Sequence, residues 1–320
     1  MKKVLILFGK SKWEKSKPFI NAEYQYSYEH FYTLCKENGI QMYRASYQWY
    51  DKENHIFKHA WKYEGTEGNW TKVESITPDL IYDKTKADIG TYREKLVINE
   101  HYPFINDLNF TRVIDDKFIT SLIFSEWSKK NWFVKSEAEL NTVLPELKTE
   151  KIVVKPVSES GGNGVCIVNK SEIGSLDFSN EKIVQEFIDS SNGIPGLSDS
   201  THDLRLVFVG KKLIYAYIRE PKDGCFLANL AQGGTLTIVP IENLPKSLDP
   251  VLRHVHAILD SFTDRIFAVD FMFDENSRPW IVEFNSMPGL YFTEKEKPYM
   301  MEMYQELLGV FKRQLALVGK

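Results

Sequence analysis

Apolar residues in this chain fall in short runs broken by polar and glycine-bearing turns, a rhythm that predicts strands interleaved with a few helices. The run Val4 to Phe8 predicts a buried first strand over 2–8. After it come a helix near 22–38, strand-like segments near 41–47, 55–63 and 70–75, and the stretch Pro78-Asp79-Leu80-Ile81-Tyr82. The cluster Glu64-Gly65-Thr66-Glu67-Gly68-Asn69 has the chemistry of a hairpin turn. Together these segments predict an α/β N-terminal layer. Its aromatics Trp49, Tyr50, Trp61 and Trp70 are expected to pack in the core or at an edge, with a substrate surface as the alternative.

A second part opens near Thr111. Asp115-Asp116-Lys117 precede an amphipathic helix over Phe118 to Trp127, whose acidic start suits the helix dipole. Another helix is predicted near 136–148, then strands over 151–156, 164–168 and 183–188, a small α+β unit. The third part alternates strands over 203–210 and 212–219 around Gly210-Lys211-Lys212, adds a further strand pair, and closes with a helix near 299–316. The expected domains are 1–110, 111–188 and 189–320.

The strand pair carries the most chemistry. Val269-Asp270-Phe271-Met272-Phe273 and Trp280-Ile281-Val282-Glu283-Phe284-Asn285 flank the turn-forming Asp274-Glu275-Asn276-Ser277-Arg278-Pro279, so a hairpin is expected. Asp270 interrupts one strand, and Glu283 and Asn285, two apart, share a face of the other. Three hard oxygen donors of this kind suit Mg²⁺, which favours one or two carboxylates with waters and phosphate oxygens, although a salt bridge satisfies a buried carboxylate as well. A phosphate site is suggested upstream. Lys151 to Pro156 predicts a strand delivering Lys155, followed by Ser158-Glu159-Ser160-Gly161-Gly162-Asn163-Gly164 and a second strand. Such a loop folds amide N–H groups over a polyphosphate with the lysine as point charge, and an ordinary glycine turn is the bland alternative.

Composition narrows the classes. At 320 residues the chain is long enough for two or three subdomains with sizeable cores. Apolar residues at 43% and charged residues at 26% are ordinary for a globular protein. A net charge of −4 without long basic runs argues against nucleic-acid or membrane partners and for small substrates. Cys35, Cys166 and Cys225 are odd in number and widely spaced, which predicts packed reduced thiols. The opening apolar run is too short for a signal peptide, and Gly9-Lys10-Ser11 lacks the earlier glycine of a P-loop. No segment approaches the roughly 20 apolar residues of a membrane span, so the expected location is cytoplasmic.

The ordered series Asp116-Lys117, Lys155 with its glycine loop, Gln185-Glu186-Phe187-Ile188, Asp203-Leu204-Arg205, Asn229 with Gly233-Gly234, Asp270, and Glu283-Phe284-Asn285 resembles an ATP-grasp enzyme. The resemblance is to the RimK and glutathione synthetase branch of carboxylate–amine ligases, from about Pro78 to Gly289, about two thirds of the chain. It implies an α/β ATP-grasp fold: an N-terminal α/β domain preceding two α+β subdomains that sandwich ATP. It implies ATP with Mg²⁺, or Mn²⁺ as the alternative metal, held by Asp270, Glu283 and Asn285. Lys117 and Lys155 would grip the phosphates, and Gly161, Gly162 and Gly164 would belong to the lid. The backbone of Glu186 and Phe187, within Gln185 to Ile188, would meet the adenine edge. Asp203 would lie near the ribose, and Asn229 would support the triphosphate or metal.

Arg205 and Arg219 resemble the arginines that neutralise an acyl phosphate or hold a substrate carboxylate, a task suited to guanidinium; surface salt bridging is the plainer reading. Two departures from the family pattern stand out. Leu227 occupies a position that is usually arginine, and Ser190 to Thr201 forms an insertion, expected to be a mobile loop near the ribose. His202 beside it reads as structural. The implied activity joins a small-molecule carboxylate to an amine, or to a peptide, through an acyl phosphate, and relatives of this kind are often homo-oligomers. A kinase acting on a small hydroxyl compound and a non-catalytic nucleotide-binding protein are the alternatives.

Overall fold

Lys2–Phe8 (β1) is apolar from Val4 to Leu7, and those four residues are fully buried, as expected for an interior parallel strand covered on both faces. The computed structural model describes residues 1–9, 17–19, 21–85, 89–157, 164–222, 234–293 and 296–318. They form two units, Met1–Thr111 with Asp264–Ile266 and Ser286–Lys320, and Arg112–Thr263 with Phe267–Asn285.

In the first unit, α1 (Ala22–Glu37) starts where the Asn21 side chain accepts from the Glu23 and Tyr24 amides at 2.8 and 3.1 Å, capping two otherwise orphaned donors. It buries Tyr28, Phe31, Tyr32 and Cys35, at helical spacing. Then come β2 (Ile40–Ser46), β3 (Tyr50–Asp51), β4 (Ile56–Tyr63), β5 (Trp70–Ile76), β6 (Leu80–Asp83), α2 (Ile89–Asn99), β7 (Phe104–Ile105) and α3 (Leu108–Ile114). The sheet order is β3-β4-β2-β1-β6-β7, with β5 beside β4. The β2-β1-β6-β7 portion is parallel and β4–β5 is the expected hairpin over 64–69. Trp49, Tyr50, Phe57 and Tyr102 pack in the core on one side of this sheet.

The second unit begins with α4 (Lys117–Ile123), β8 (Asn131–Val134), α5 (Glu137–Val143), β9 (Lys151–Pro156), β10 (Cys166–Asn169) and β11 (Lys182–Glu186). The four strands make an antiparallel sheet, β10-β9-β11-β8, packed on Leu140 and Leu147. Next come β12 (Asp203–Val209), β13 (Lys212–Glu220), β14 (Thr235–Val239), α6 (Leu248–Ile258), β15 (Ile266–Phe273) and β16 (Pro279–Asn285), whose sheet runs β14-β13-β12-β15-β16. The closing helix, α7 (Lys297–Leu317), belongs to the first unit.

Several expectations need correction. The helix after Asp116 stops at Ile123 instead of Trp127. Phe124 turns inward onto Phe284, with ring centroids 5.0 Å apart, and the Trp127 indole donates to His254 Nδ1 at 3.1 Å. The helix expected to 148 ends at Val143 and tightens into a 3₁₀ turn over Leu144–Glu146 that contains Pro145. The inserted segment near 190–201 is a compact turn and not a mobile loop. Ile194 and Ser198 exchange backbone bonds of 2.7 and 3.0 Å, and the Ser198 and Ser200 hydroxyls both bind Glu220. Gly193 is needed there, since a Cβ would come within 1.9 Å of the Ser198 carbonyl oxygen. Cys35 is buried as expected, whereas Cys166 is exposed on the outer strand β10; Cys225 lies outside the described residues.

Candidate functional site

Asp116 caps α4: its side chain accepts from the Phe118 and Ile119 amides, each at 2.9 Å. The cap makes Lys117 the first helical residue and brings its ammonium 3.9 Å from the Glu283 carboxylate of β16. Lys155, near the end of β9, is buried and donates to Gln185 Oε1 on the neighbouring β11 at 2.9 Å. Burial, and next the repulsion of Lys117, pull the Lys155 ammonium down to about 8, against the attraction of Glu283. The two lysines and Glu283 therefore share one electrostatic neighbourhood.

Gly164 turns the chain back toward β9 with φ +70°, its missing Cβ 3.3 Å from the Pro156 ring. Gly161 and Gly162, expected in the lid, and Asn229, expected at the triphosphate, lie outside the described residues.

At the expected adenine hinge, β11 ends at Glu186 and not Ile188, and the amides have protein partners. The Glu186 N–H donates to the Lys130 carbonyl at 3.0 Å and the Phe187 N–H to the Thr149 hydroxyl at 3.1 Å. The Glu186 carboxylate accepts from the Lys148 amide at 3.0 Å. Direct donation from the Glu186 and Phe187 amides to a base edge does not fit this geometry. Ile188 is buried beside them.

Antiparallel pairing of β12 and β13 sets Asp203 opposite Arg219 and Arg205 opposite Tyr217. Asp270 lies on the neighbouring β15 and is almost completely buried. Arg205 grips it with two donors, Nε to Oδ1 at 2.6 Å and Nη2 to Oδ2, and Arg219 Nη2 adds a bond to Oδ2 at 2.7 Å. Arg219 also binds Asp203. Burial pushes Asp270 up, but the two guanidiniums outweigh it and hold the carboxyl below its usual range. Burial, and next the Asp270 charge, push Asp203 up to about 7 against the pull of Arg219 and Arg205. Asp203, read from sequence as a ribose neighbour, thus orients an arginine. Cross-strand register around the Gly210 turn was the signal that would have paired it with Arg219.

The β15–β16 hairpin forms as expected, with Asp270 opposite Glu283 and Ala268 opposite Asn285. The register shifts between Asp270 and Phe271, an irregularity of the kind that re-aims side chains near functional sites. Arg205 reaches across to Glu283 at 3.8 Å, so both carboxylates face one guanidinium. His202 is buried and structural: its Nδ1 donates to the Ser200 carbonyl at 3.0 Å, and its Nε2 accepts from the Phe273 amide at 3.1 Å.

The donor set suits a magnesium–nucleotide complex. Glu283 retains 30% side-chain exposure, and the two Asp270 oxygens accept three hydrogen bonds where a carboxylate has about four acceptor sites. Lys117, Lys155, Arg205 and Arg219 surround Asp203, Asp270 and Glu283, so the seam carries an excess of positive charge that an anionic nucleotide would complement.

Two residues outside this seam were missed in the sequence. The Asn106 amide nitrogen donates to the Ile266 and Ser286 carbonyls at 2.7 and 2.6 Å, and its oxygen accepts from the Ile266 amide at 2.7 Å. It pins both ends of the segment carrying Asp270, Glu283 and Asn285. The polar break in Phe104-Ile105-Asn106 was its only sign. Lys84 is the second.

Among known proteins, a probable alpha-L-glutamate ligase of Legionella pneumophila is 27% identical over 169 residues, 51% of this chain and 51% of that protein. The chain spans about half the length of the curated relatives it matches. The crystal structure of VanG D-Ala:D-Ser ligase from Enterococcus faecalis shares the fold with a TM-score of 0.64 at 16% identity, covering 97% of this chain and 99% of its own. A RiPP-associated ATP-grasp ligase of Chryseobacterium gregarium, solved with ADP and a leader and core peptide, gives 0.61 at 13% identity over 98% of this chain and 97% of its own. The RimK-like ATP-grasp domain profile matches residues 127–307, more than half of the chain, and with that the chain belongs to the RimK-like ATP-grasp family.

Proposed function

We propose that this protein is an ATP-dependent carboxylate–amine ligase. The observation that carries the reading is the continuous seam Lys117, Glu283, Arg205, Asp270 and Arg219, in which phosphate-seeking cations and hard oxygen donors alternate within ion-pair reach, with Lys155 in the same electrostatic neighbourhood. The expected subdomains 111–188 and 189–320 would hold the nucleotide between them, with residues 1–110 preceding. Lys155 and Lys117 would bind the phosphates. Asp270, Glu283 and Asn285 would hold Mg²⁺, or Mn²⁺ in its place, which supplies charge neutralisation at the β- and γ-phosphates when bound.

A substrate carboxylate oxygen attacks the γ-phosphorus and ADP leaves, forming an acyl phosphate. An amine nitrogen then attacks the acyl carbon, phosphate leaves with the bonding pair, and the nitrogen loses a proton to give an amide. Arg205, with 13% side-chain exposure, would stabilise the developing oxyanion; Arg219, more buried, would orient it through Asp270. The glutamate-ligase name of the relatives and the peptide bound by one structural neighbour support an amino acid or peptide as substrate. No helix among the described residues is long and apolar enough to cross a membrane, and the charged seam suits small-molecule partners.

The deciding experiment supplies MgATP with pooled carboxylic acids and amines, measures ADP and phosphate, and searches products by mass. Free phosphate with a product equal to acid plus amine minus water supports the ligase. Phosphate found on a hydroxyl compound makes it a kinase, and tight ATP binding without turnover makes it a nucleotide-binding protein.

A further inference from the structure

Lys84 directly follows β6, at the carboxyl end of the parallel part of the first unit's sheet, where open α/β sheets place their ligands. Its amide is held by the Leu7 carbonyl at 2.9 Å, which fixes its position beside the end of β1. The ammonium donates to the Pro288 carbonyl at 2.6 Å and lies 5.5 Å from the Tyr82 ring centre. Both partners are neutral. The adjacent Asp83 carboxylate is committed elsewhere: the fully buried Lys95 ammonium lies 2.6 Å from it and also donates to the Thr85 carbonyl. Two lysines therefore meet one carboxylate, and the surplus charge is on Lys84. Desolvation pulls its ammonium down to about 8, with Asp83 opposing.

A desolvated cation with one neutral acceptor is costly unless an anion completes it. The position of Pro288 indicates what kind of anion. It is three residues past Asn285, the last metal-ligand candidate, along the chain. We propose that Lys84 forms a subsite for a substrate carboxylate, an assignment that rests on the ligase reading and gives at least one substrate an acid group that this lysine recognises. The Pro288 carbonyl orients the ammonium and leaves its remaining N–H donors for the incoming group.

The test compares wild type, Lys84→Met and Lys84→Arg with the acid–amine pair found by product screening, supplying each substrate also as its carboxamide. Lys84→Met is expected to raise the KM of one substrate roughly 30-fold or more while the KM for MgATP changes less than about twofold, and Lys84→Arg is expected to retain most of the affinity. The carboxamide form of that substrate should bind equally weakly to wild type and Lys84→Met. Equal substrate KM values, an equal loss with the carboxamide, or a loss confined to MgATP overturns the subsite while the ligase reading stands. A wild type that forms no condensed product sinks the ligase reading instead. Calorimetric titration of MgADP-loaded wild type and Lys84→Met with L-glutamate then decides: heat that depends on Lys84 supports the subsite, and equal or absent heat overturns it.

Discussion

Replacing Lys155 by methionine is expected to stabilise the nucleotide-free protein while weakening MgATP binding severely. The fall from the ordinary lysine value of 10.5 to about 8 corresponds to about 3 kcal/mol for holding the ammonium charged at neutral pH. The unfolded chain binds this proton more tightly than the folded one. The cost is therefore present in full below about pH 8 and fades as pH rises toward 10.5. Methionine removes that cost and the repulsion from Lys117, but deprives Gln185 Oε1 of its donor, which returns about 1–2 kcal/mol. The net gain is about 1–2 kcal/mol, or roughly 2–6 °C in Tm for a chain of this size. Loss of a charged contact to phosphate should weaken MgATP binding by about 10- to 150-fold.

Thermal melts without nucleotide and calorimetric titration with MgATP, both at pH 7, measure the two effects. A Tm that drops by several degrees with unchanged MgATP affinity would show that Lys155 is structural and refute the reasoning. The same charge should appear in the pH dependence of kcat/KM for ATP, falling above about pH 8 in wild type as the ammonium deprotonates. Lys155→Arg should lack that fall.

Glu283→Gln keeps the side-chain shape and removes one charge, so turnover should vanish with a Tm within about 2 °C of wild type; full activity with magnesium would sink the metal assignment. Asp270→Ala leaves Arg205 and Arg219 without their shared carboxylate and should cost about 3–5 kcal/mol, read as a lowered urea midpoint. Asn106→Ala orphans the two carbonyls and one amide it serves and should destabilise by about 2–4 kcal/mol in the same assay; an unchanged midpoint would mean that water replaces the amide.

Strands were the legible part of this chain, because burial on both faces demands unbroken apolar runs such as Val4 to Leu7 and the apolar stretches of β12, β13 and β15. The ATP-grasp fold followed from the order of short motifs on those strands. Helices α2 and α6 passed unread. Charged residues interrupt both, and the Ser247 side chain at the start of α6 makes no capping bond of the kind that marks α1 and α4. At the site, polar residues breaking apolar strands were visible, but their partners were not. Whether Asp270 meets a metal or an arginine depends on which strand lies beside β15. That strand is β12, more than fifty residues earlier in the chain, and no local pattern encodes the neighbour.

The arginine pair also makes the three expected metal ligands unequal. Asp270 spends most of its acceptor capacity on Arg205 and Arg219, and those bonds keep its charge in place against burial. Its main work is therefore to fix two guanidiniums, one of them beside Asp203 and the other within reach of Glu283. Glu283 is more exposed, and the Arg205 and Lys117 side chains sit 3.8 and 3.9 Å from it, beyond hydrogen-bond range, so its oxygens can turn toward a cation at little cost. Substitution at Glu283 should consequently act on metal affinity with little effect on folding, and substitution at Asp270 on both. On the proposed reading, this division of labour would separate a carboxylate that organises the site from one that serves the reaction.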